Sequence, residues 1–331
     1  MSNKSGVRLS IIIPTQNRAK LLQGTLESIK NQTLPEHLFE VIVVDNGSTD
    51  QTSQIITRYM SEFKNFKSIY EQAPGLHNGR NRGFQSAQGD VLVYADDDIE
   101  ALPQWLETIL NVFDPDPMIG LLGGNNLPIY EGDPPSWVNE LWSNCPFGKM
   151  NGFYSLIDFG QMEGEVLSRY VWGCNFSIRK TIVERLGGFN PDGMPKNLLF
   201  YRGDGESDVA RRLTKLGYKT YFHSDASVYH HVALSKMQIS YIYQRSYAQG
   251  ISDSYSAIRQ RGNVLYSNLL AAKVKMLEAI HLSEKQNSEW KHHSVVGYQR
   301  GFFEHHYEVY NSKQLLDWIL REDYLGINGM I

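Results

Sequence analysis

Short β-branched runs recur along the N-terminal third of the chain, and each breaks at a polar turn before a helical pattern begins. Ser10-Ile11-Ile12-Ile13 stops at Pro14-Thr15-Gln16-Asn17-Arg18, after which Leu22, Leu26 and Ile29 share one helical face. Val41-Ile42-Val43-Val44 stops at Asp45-Asn46-Gly47-Ser48-Thr49-Asp50, and Ile55, Ile56, Tyr59 and Phe63 then recur at helical spacing. Phe66 to Tyr70 predicts a third strand, Asn81 to Ala87 a short helix and Val91 to Tyr94 a fourth strand. Pro103 opens a helix carrying Leu106, Ile109, Leu110 and Phe113. This alternation predicts an α/β, Rossmann-like architecture, a mostly parallel sheet with helices on both faces. Ligands of such sheets collect at the carboxyl ends of the strands, where Thr15, Asp45, Gly75 and Asp96 to Asp98 all fall.

The triplet Asp96-Asp97-Asp98 closes the apolar run Val91 to Ala95. Adjacent carboxylates repel unless a cation neutralises them, and alternation along an extended chain points Asp96 and Asp98 the same way, with Asp97 turned from them. A hard divalent metal bound by one or two carboxylates completes its shell with substrate phosphates and water. The plainer reading is a capped strand end, since Asp is common in turns and at helix starts.

Four segments, Ile12 to Arg18, Val43 to Asp50, Gly79-Arg80-Asn81-Arg82-Gly83 and Tyr94 to Asp98, resemble in order and spacing the large family-2 glycosyltransferases. The resemblance continues through Gly173 to Lys180, Gly187-Gly188-Phe189, Asp204 to Asp208, Leu216-Gly217-Tyr218 and Val228-Tyr229-His230, covers about residues 8 to 232, and fades beyond about 235. It implies the nucleotide-sugar-binding GT-A fold over residues 1–235, with an acceptor side from about 125 to 235, and a C-terminal helical extension over 236–331. It also implies that Pro14, Thr15, Asn17, Arg18, Asp45, Gly75, Arg80, Asp96 and Asp97 surround the nucleotide sugar. Mn²⁺ or Mg²⁺ would sit on Asp96 and Asp98, and a His at the place of His230 leans the choice toward manganese. For Asp45 and Asn46 a purely turn-building role is the alternative, and for Arg82 a solvated surface charge.

Transfer from a nucleoside diphosphate needs neutralisation of the leaving group and a base for the acceptor hydroxyl. The base is expected within Asp204-Gly205-Glu206-Ser207-Asp208, where the chain departs from the family's adjacent Glu-Asp pair. Counting back from Arg212-Leu213 puts Glu206 in the place of that Asp and Gly205 in the place of the Glu. Glu206 is therefore the first choice, Asp208 the second and Asp204 the third, against a cluster of acids that complements a helix dipole.

Pro128, Pro134, Pro135 and several glycines predict a loop-rich stretch from 128 to 172. Its Trp137, Trp142, Phe147, Phe153 and Tyr154, with Trp172, offer flat faces to sugar rings; a satellite core under a long loop is the alternative. The resemblance implies that the strand holding Trp172, Gly173 and Asn175 lines the acceptor cavity. Met237 to Gln260 and Val264 to Leu282 carry helical patterns. They predict either helices packed on the transferase domain or a second copy of the chain, or a basic-aromatic face resting on the inner face of the cytoplasmic membrane beside a lipid-linked acceptor. His292-His293 and His305-His306 lack ligand spacing and predict surface positions.

At 331 residues the chain can bury one substantial core, and a net charge of −4 gives no reason to invoke nucleic acid. Cys145 and Cys174 are too few for a disulfide framework or a zinc site and fit a reducing cytoplasm. Met1 to Arg8 lacks the apolar core of a signal peptide, and no run reaches membrane-spanning length. The leading expectation is an inverting, metal-dependent transferase moving a sugar, UDP-linked as first choice, to a saccharide or lipid-linked acceptor in polysaccharide or glycoconjugate assembly. The alternatives are a sugar-1-phosphate nucleotidyltransferase and a noncatalytic sugar-nucleotide-binding scaffold.

Overall fold

The computed structural model describes residues 6–285 and 288–325. The first five residues of Met1 to Arg8 and the end of the expected C-terminal extension, 326–331, lie outside them. In chain order the elements are β1 Leu9–Thr15, α1 Ala19–Lys30, β2 Phe39–Asp45, α2 Thr52–Met60, β3 Phe66–Tyr70, α3 Leu76–Ser86, β4 Val91–Ala95, β5 Ile99–Ala101 and α4 Trp105–Phe113. Then follow β6 Ile119–Gly123, β7 Asn126–Tyr130, α5 Ser136–Asn139, β8 Ser143–Cys145, β9 Gly148–Asn151, β10 Leu156–Asp158, β11 Glu163–Val166, β12 Asn175–Arg179 and α6 Lys180–Leu186. The remainder is α7 Gly205–Lys215, β13 Lys219–His223, β14 Val228–Val232, α8 Ile239–Arg261, α9 Tyr266–Ser283, α10 Glu289–Asn311 and α11 Lys313–Ile319.

The main sheet runs β11-β13-β6-β12-β4-β1-β2-β3. Its half from β4 to β3 is parallel, while β12 lies antiparallel between β4 and β6. Strands β1, β2 and β4 are buried on both faces, which is why their sequences read as near-continuous apolar runs, while β3 at the sheet edge is half exposed. Alternation sorts those side chains into two cores. Ile11, Ile13, Val41, Val43, Val91 and Val93 pack under α1, α2 and α4, whereas Ile12, Ile42, Val44, Leu92 and Tyr94 pack under α3, α6 and α7. Gly83 sets how close α3 lies, since a Cβ there would fall 2.3 Å from Ile12 Cγ2.

The second sheet, β5-β14-β7-β10-β9-β8, draws several of its short strands from the loop-rich stretch from 128 to 172, where β8, β9 and β10 are joined by turns. Its aromatics feed two small cores, Trp137, Trp142, Phe153 and Tyr154 in one and Phe147 and Trp172 in the other. The short helix expected at Asn81 to Ala87 begins earlier, at Leu76, because Gly75 at φ +108° turns the chain into it.

Helices α8 to α11 form the C-terminal region. α10 packs along α8 through bare backbone: a Cβ on Gly250 or Gly301 would fall within 2.1 Å of the facing helix's carbonyl oxygens. Tyr255, Ile258, Trp318 and Tyr324 bury against Phe200 and Tyr201, tying these helices to the segment just before α7. His305 and His306 depart from the expected surface positions. Both are fully buried, each 2.6 Å from the Ser254 hydroxyl, and burial pushes His305 down to about 3. No helix among the described residues is long and apolar enough to cross a membrane.

Candidate active site

The aspartate triplet is the joint between the two sheets, leaving β4 of the first and entering β5 of the second. Because β5 pairs with β14 in a register that sets Ile99 opposite His230, and the His231 amide donates to the Asp98 carbonyl at 2.9 Å, His230 is carried to the triplet by the sheet itself. The neighbouring His231 turns outward to Glu100 at 2.8 Å. Carboxylate oxygens of Asp96 and Asp98 and a ring nitrogen of His230 lie within 4.8 Å of one another, a group that can hold a metal ion.

The donor set fits a cation. His230 Nδ1 lies 2.9 Å from the Tyr154 carbonyl, which only accepts, so Nδ1 carries the proton. A neutral ring then directs its Nε2 lone pair at Asp98 Oδ1, 3.1 Å away, a buried oxygen with no hydrogen-bond partner. Two lone pairs face each other, and a cation between them relieves both. Burial alone would raise Asp98; with no cation present, the positive charge that His230 carries when protonated, together with Lys236 and Arg18, outweighs burial and holds the carboxyl below the ordinary range. Asp96 is raised by burial and by Asp98, against the opposing pull of Arg80.

Asp97 turns away, as expected. It accepts from the Thr15 hydroxyl at 2.7 Å and from Arg18 at 2.5 Å, and burial pushes its carboxyl up to about 6. Arg18 also reaches Asp98 at 2.9 Å. A cleft of about 450 Å³ opens beside these groups, lined by Pro14, Thr15, Arg18, Gly75, Asp96 and Asp97, as well as by Gln16, Asn46, Leu76, Gly193 and Pro195. Two expected residues shape its wall from behind. Asp45 Oδ1 accepts from the Ser48 amide at 2.8 Å, and Asn17, at φ +54°, accepts from the Thr49 amide at 2.7 Å, pinning the first two strand-end loops together.

Arg80, expected beside the diphosphate, has carboxylate partners within the protein. It lies on the inner side of α3, 3% exposed, with Glu206 at 2.9 Å, Asp96 at 3.7 Å and Asp192 at 4.0 Å. It is the shared counter-ion of these three carboxyl groups, and it links the metal-capable group to Glu206. Gly173 explains how the pair fits: a Cβ there would fall 2.3 Å from Arg80 Nη2 and 2.9 Å from Glu206 Oε1. The other two expected acceptor-side residues serve packing. Asn175 is buried, accepting from Trp105 Nε1 at 3.1 Å and donating to the Ala226 carbonyl at 2.9 Å, and Trp172 donates to the Arg169 carbonyl.

The three candidate bases separate by their partners. Asp204 is buried and accepts from Asn190, Ser256 and Arg211. Asp208 is held by Arg211 and Arg212, each at 2.6 Å. Glu206 lines a polar cavity of about 210 Å³ with its side chain 24% exposed. Gly205 sits at φ +48° with a Cβ position 2.9 Å from Asp192, so the backbone that delivers Glu206 excludes a Glu at 205. Replacing Asp208 by Asn is expected to lower stability by about 1–3 kcal/mol, by loosening two ion pairs at the helix start, while leaving nucleotide affinity unchanged. Urea denaturation beside a nucleotide titration checks it.

Asp192 and Gly193 were not expected; no motif marks them, and only the fold brings their loop between the cleft and the polar cavity. The Leu76 amide donates to the Asp192 carbonyl at 2.8 Å, tying that loop to the start of α3.

Residues 10–187 match the family model described as glycosyl transferase family 2. The chain belongs to this family. Its GT-A fold is shared with the mannosyltransferase PcManGT from Pyrobaculum calidifontis, solved with GDP-Man and Mn²⁺, at a TM-score of 0.58 and 17% identity over 93% of this chain and 88% of that one. Among curated family members, glycosyltransferase AglE of Haloferax volcanii is 29% identical over 66% of this chain and 64% of its own length. Glucosyl-dolichyl phosphate glucuronosyltransferase of the same organism is 24% identical over 74% and 76%. Validoxylamine A glucosyltransferase of Streptomyces hygroscopicus subsp. jinggangensis is 28% identical, and the match covers 51% of its length. The chain thus spans between half and two thirds of the length of AglE and the validoxylamine enzyme.

Proposed function

We propose that the chain moves a sugar from a nucleoside-diphosphate sugar, a UDP-sugar as first choice, to a hydroxyl of a saccharide or lipid-linked acceptor, with inversion, in polysaccharide or glycoconjugate assembly. The observation that carries this reading is the placement of Arg80. It holds Glu206 toward one cavity and Asp96 toward another, so a proton acceptor and a metal-capable group face each other across one buried cation.

The nucleotide sugar would occupy the cleft between the Pro14–Arg18 turn and Gly75. A divalent cation held by Asp96, Asp98 and His230, Mn²⁺ or Mg²⁺, would supply Lewis-acid neutralisation of the leaving diphosphate. Arg18, 36% exposed beside Asp97 and Asp98, adds positive charge at the same edge. Arg80 occupies Glu206 Oε2, and Oε1 is left to take the proton of the acceptor hydroxyl. The acceptor oxygen then forms its bond to the anomeric carbon as the bond from that carbon to the diphosphate oxygen breaks. The electron pair leaves with the nucleotide, and with no covalent intermediate the configuration inverts. Incubation with UDP-, GDP- and dTDP-sugars and Mn²⁺ tests the reading. Release of the nucleoside diphosphate from at least one donor is expected; none from any would contradict it.

The name of one relative, the glucosyl-dolichyl phosphate glucuronosyltransferase, supports a lipid-linked acceptor, and helix α9 supports work at the inner face of the cytoplasmic membrane. Tyr266, Leu270, Val274 and Leu277 form an exposed apolar stripe between Lys273 and Lys275, the pattern of a helix lying in a lipid interface. The chain is expected to float with liposomes containing anionic lipid, and Leu270→Glu with Leu277→Glu to abolish flotation. A dimer in solution that buries the stripe and ignores liposomes would assign the face to a second copy instead.

A further inference from the structure

The polar cavity beside Glu206 has a neighbour that shares two of its lining residues. That second cavity, about 410 Å³, lies between α8, α10 and the Gly152-Phe153 turn, with Phe153, Val295 and Tyr298 in its walls, and Arg245 and Gln249 line both spaces. Together they run from the reacting carboxylate to an apolar pocket formed by the C-terminal helices.

The charges along this path do not all find partners. Glu206 is paired with Arg80, Asp192 with Arg202 at 2.8 Å, and Asp204 with Arg211 at 3.4 Å. Asp253 is held by hydrogen bonds from Gln249 at 2.8 Å and Tyr298 at 2.7 Å. The Arg245 guanidinium takes part in no ion pair among the described residues and acts on Asp192 only at a distance. A half-buried guanidinium at the joint between a polar and an apolar cavity is suited to a planar or tetrahedral anion, which it binds with charge-assisted hydrogen bonds.

Resting on the transferase reading above, we infer that the C-terminal helices select the acceptor: Arg245 binds an anionic phosphate group set between the acceptor sugar, in the polar cavity, and an apolar chain, in the cavity between α8 and α10. The acceptor class is thus a glycosyl phosphate or diphosphate of an apolar alcohol. A neutral glycoside leaves Arg245 unpaired, and a free sugar phosphate leaves the apolar cavity unfilled.

The test is isothermal titration of the full chain with a nucleoside diphosphate (UDP, GDP or dTDP) and Mn²⁺, and with inorganic phosphate, decyl phosphate and decyl maltoside, the amphiphiles kept below micelle-forming concentrations. Decyl phosphate is expected to bind at least tenfold more tightly than either inorganic phosphate or decyl maltoside. Arg245→Gln should weaken decyl phosphate at least tenfold with an unchanged melting transition, Arg245→Lys should recover part of the loss, and Phe153→Ala should weaken decyl phosphate but not inorganic phosphate. Equal affinity for decyl maltoside, equal affinity for inorganic phosphate, or full decyl phosphate binding by Arg245→Gln would each overturn the inference. If the unaltered chain binds none of UDP, GDP and dTDP, the transferase reading itself fails; intact nucleotide binding without decyl phosphate binding counts against the acceptor assignment alone.

Discussion

Glu206→Gln is expected to lower turnover by about 10²–10⁴-fold while the affinity for donor nucleotide stays close to that of the unaltered chain. The substitution is nearly isosteric and keeps an oxygen for Arg80, so the architecture around Gly173 should hold; what disappears is the capacity to accept a proton. Steady-state transfer and nucleotide titration, run on the same preparation, separate the two effects. If Asp208→Asn were instead inactive with nucleotide binding intact, and Glu206→Gln active, the base would lie two residues further on. The partners in the fold argue against that outcome, since both Asp208 oxygens are held by arginines, while Glu206 borders the polar cavity with one oxygen left by Arg80.

Asp98→Ala is expected to abolish transfer and to remove the dependence of nucleotide binding on Mn²⁺. Asp98 brings a buried, unpartnered oxygen to the face of His230, so removing it leaves two of the three ligand residues and no reason for the ion to stay. Asp97→Asn should have a smaller effect on metal dependence, because its carboxylate is turned to Thr15 and Arg18. Metal-dependent nucleotide affinity in Asp98→Ala matching that of the unaltered chain would remove the carboxylate from the metal site.

The fold was legible where burial on both faces forces one kind of sequence. Ile11-Ile12-Ile13, Val41 to Val44 and Val91 to Tyr94 declare parallel strands because each alternate side chain enters a different core. The second sheet was hidden because its strands are three to five residues long and interrupted by glycine and proline, too short for a period to show. His305 and His306 misled for a related reason: long helices packed on each other bury polar residues that bond across the interface, and composition carries no trace of Ser254 between them. In the site, the triplet and His230 were legible because strand register brings them together. The pairing of Arg80 with Glu206 was not legible, since its direction depends on where α3 begins, and that is set by Gly75. Asp192 and Arg202 pair within the segment before α7, but Arg245 comes from a distant stretch and meets them only once α8 has folded back over the start of α7.

The central claim is that Asp96, Asp98 and His230 join the donor to the chain through a divalent cation. Calorimetric titration of the unaltered chain with nucleoside diphosphates, UDP first and GDP second, in Mn²⁺ and in a chelator, tests it most directly. The account predicts that the preferred nucleotide binds at least tenfold more tightly with Mn²⁺, a difference of about 1.4 kcal/mol or more. Equal affinity with and without the ion would contradict it.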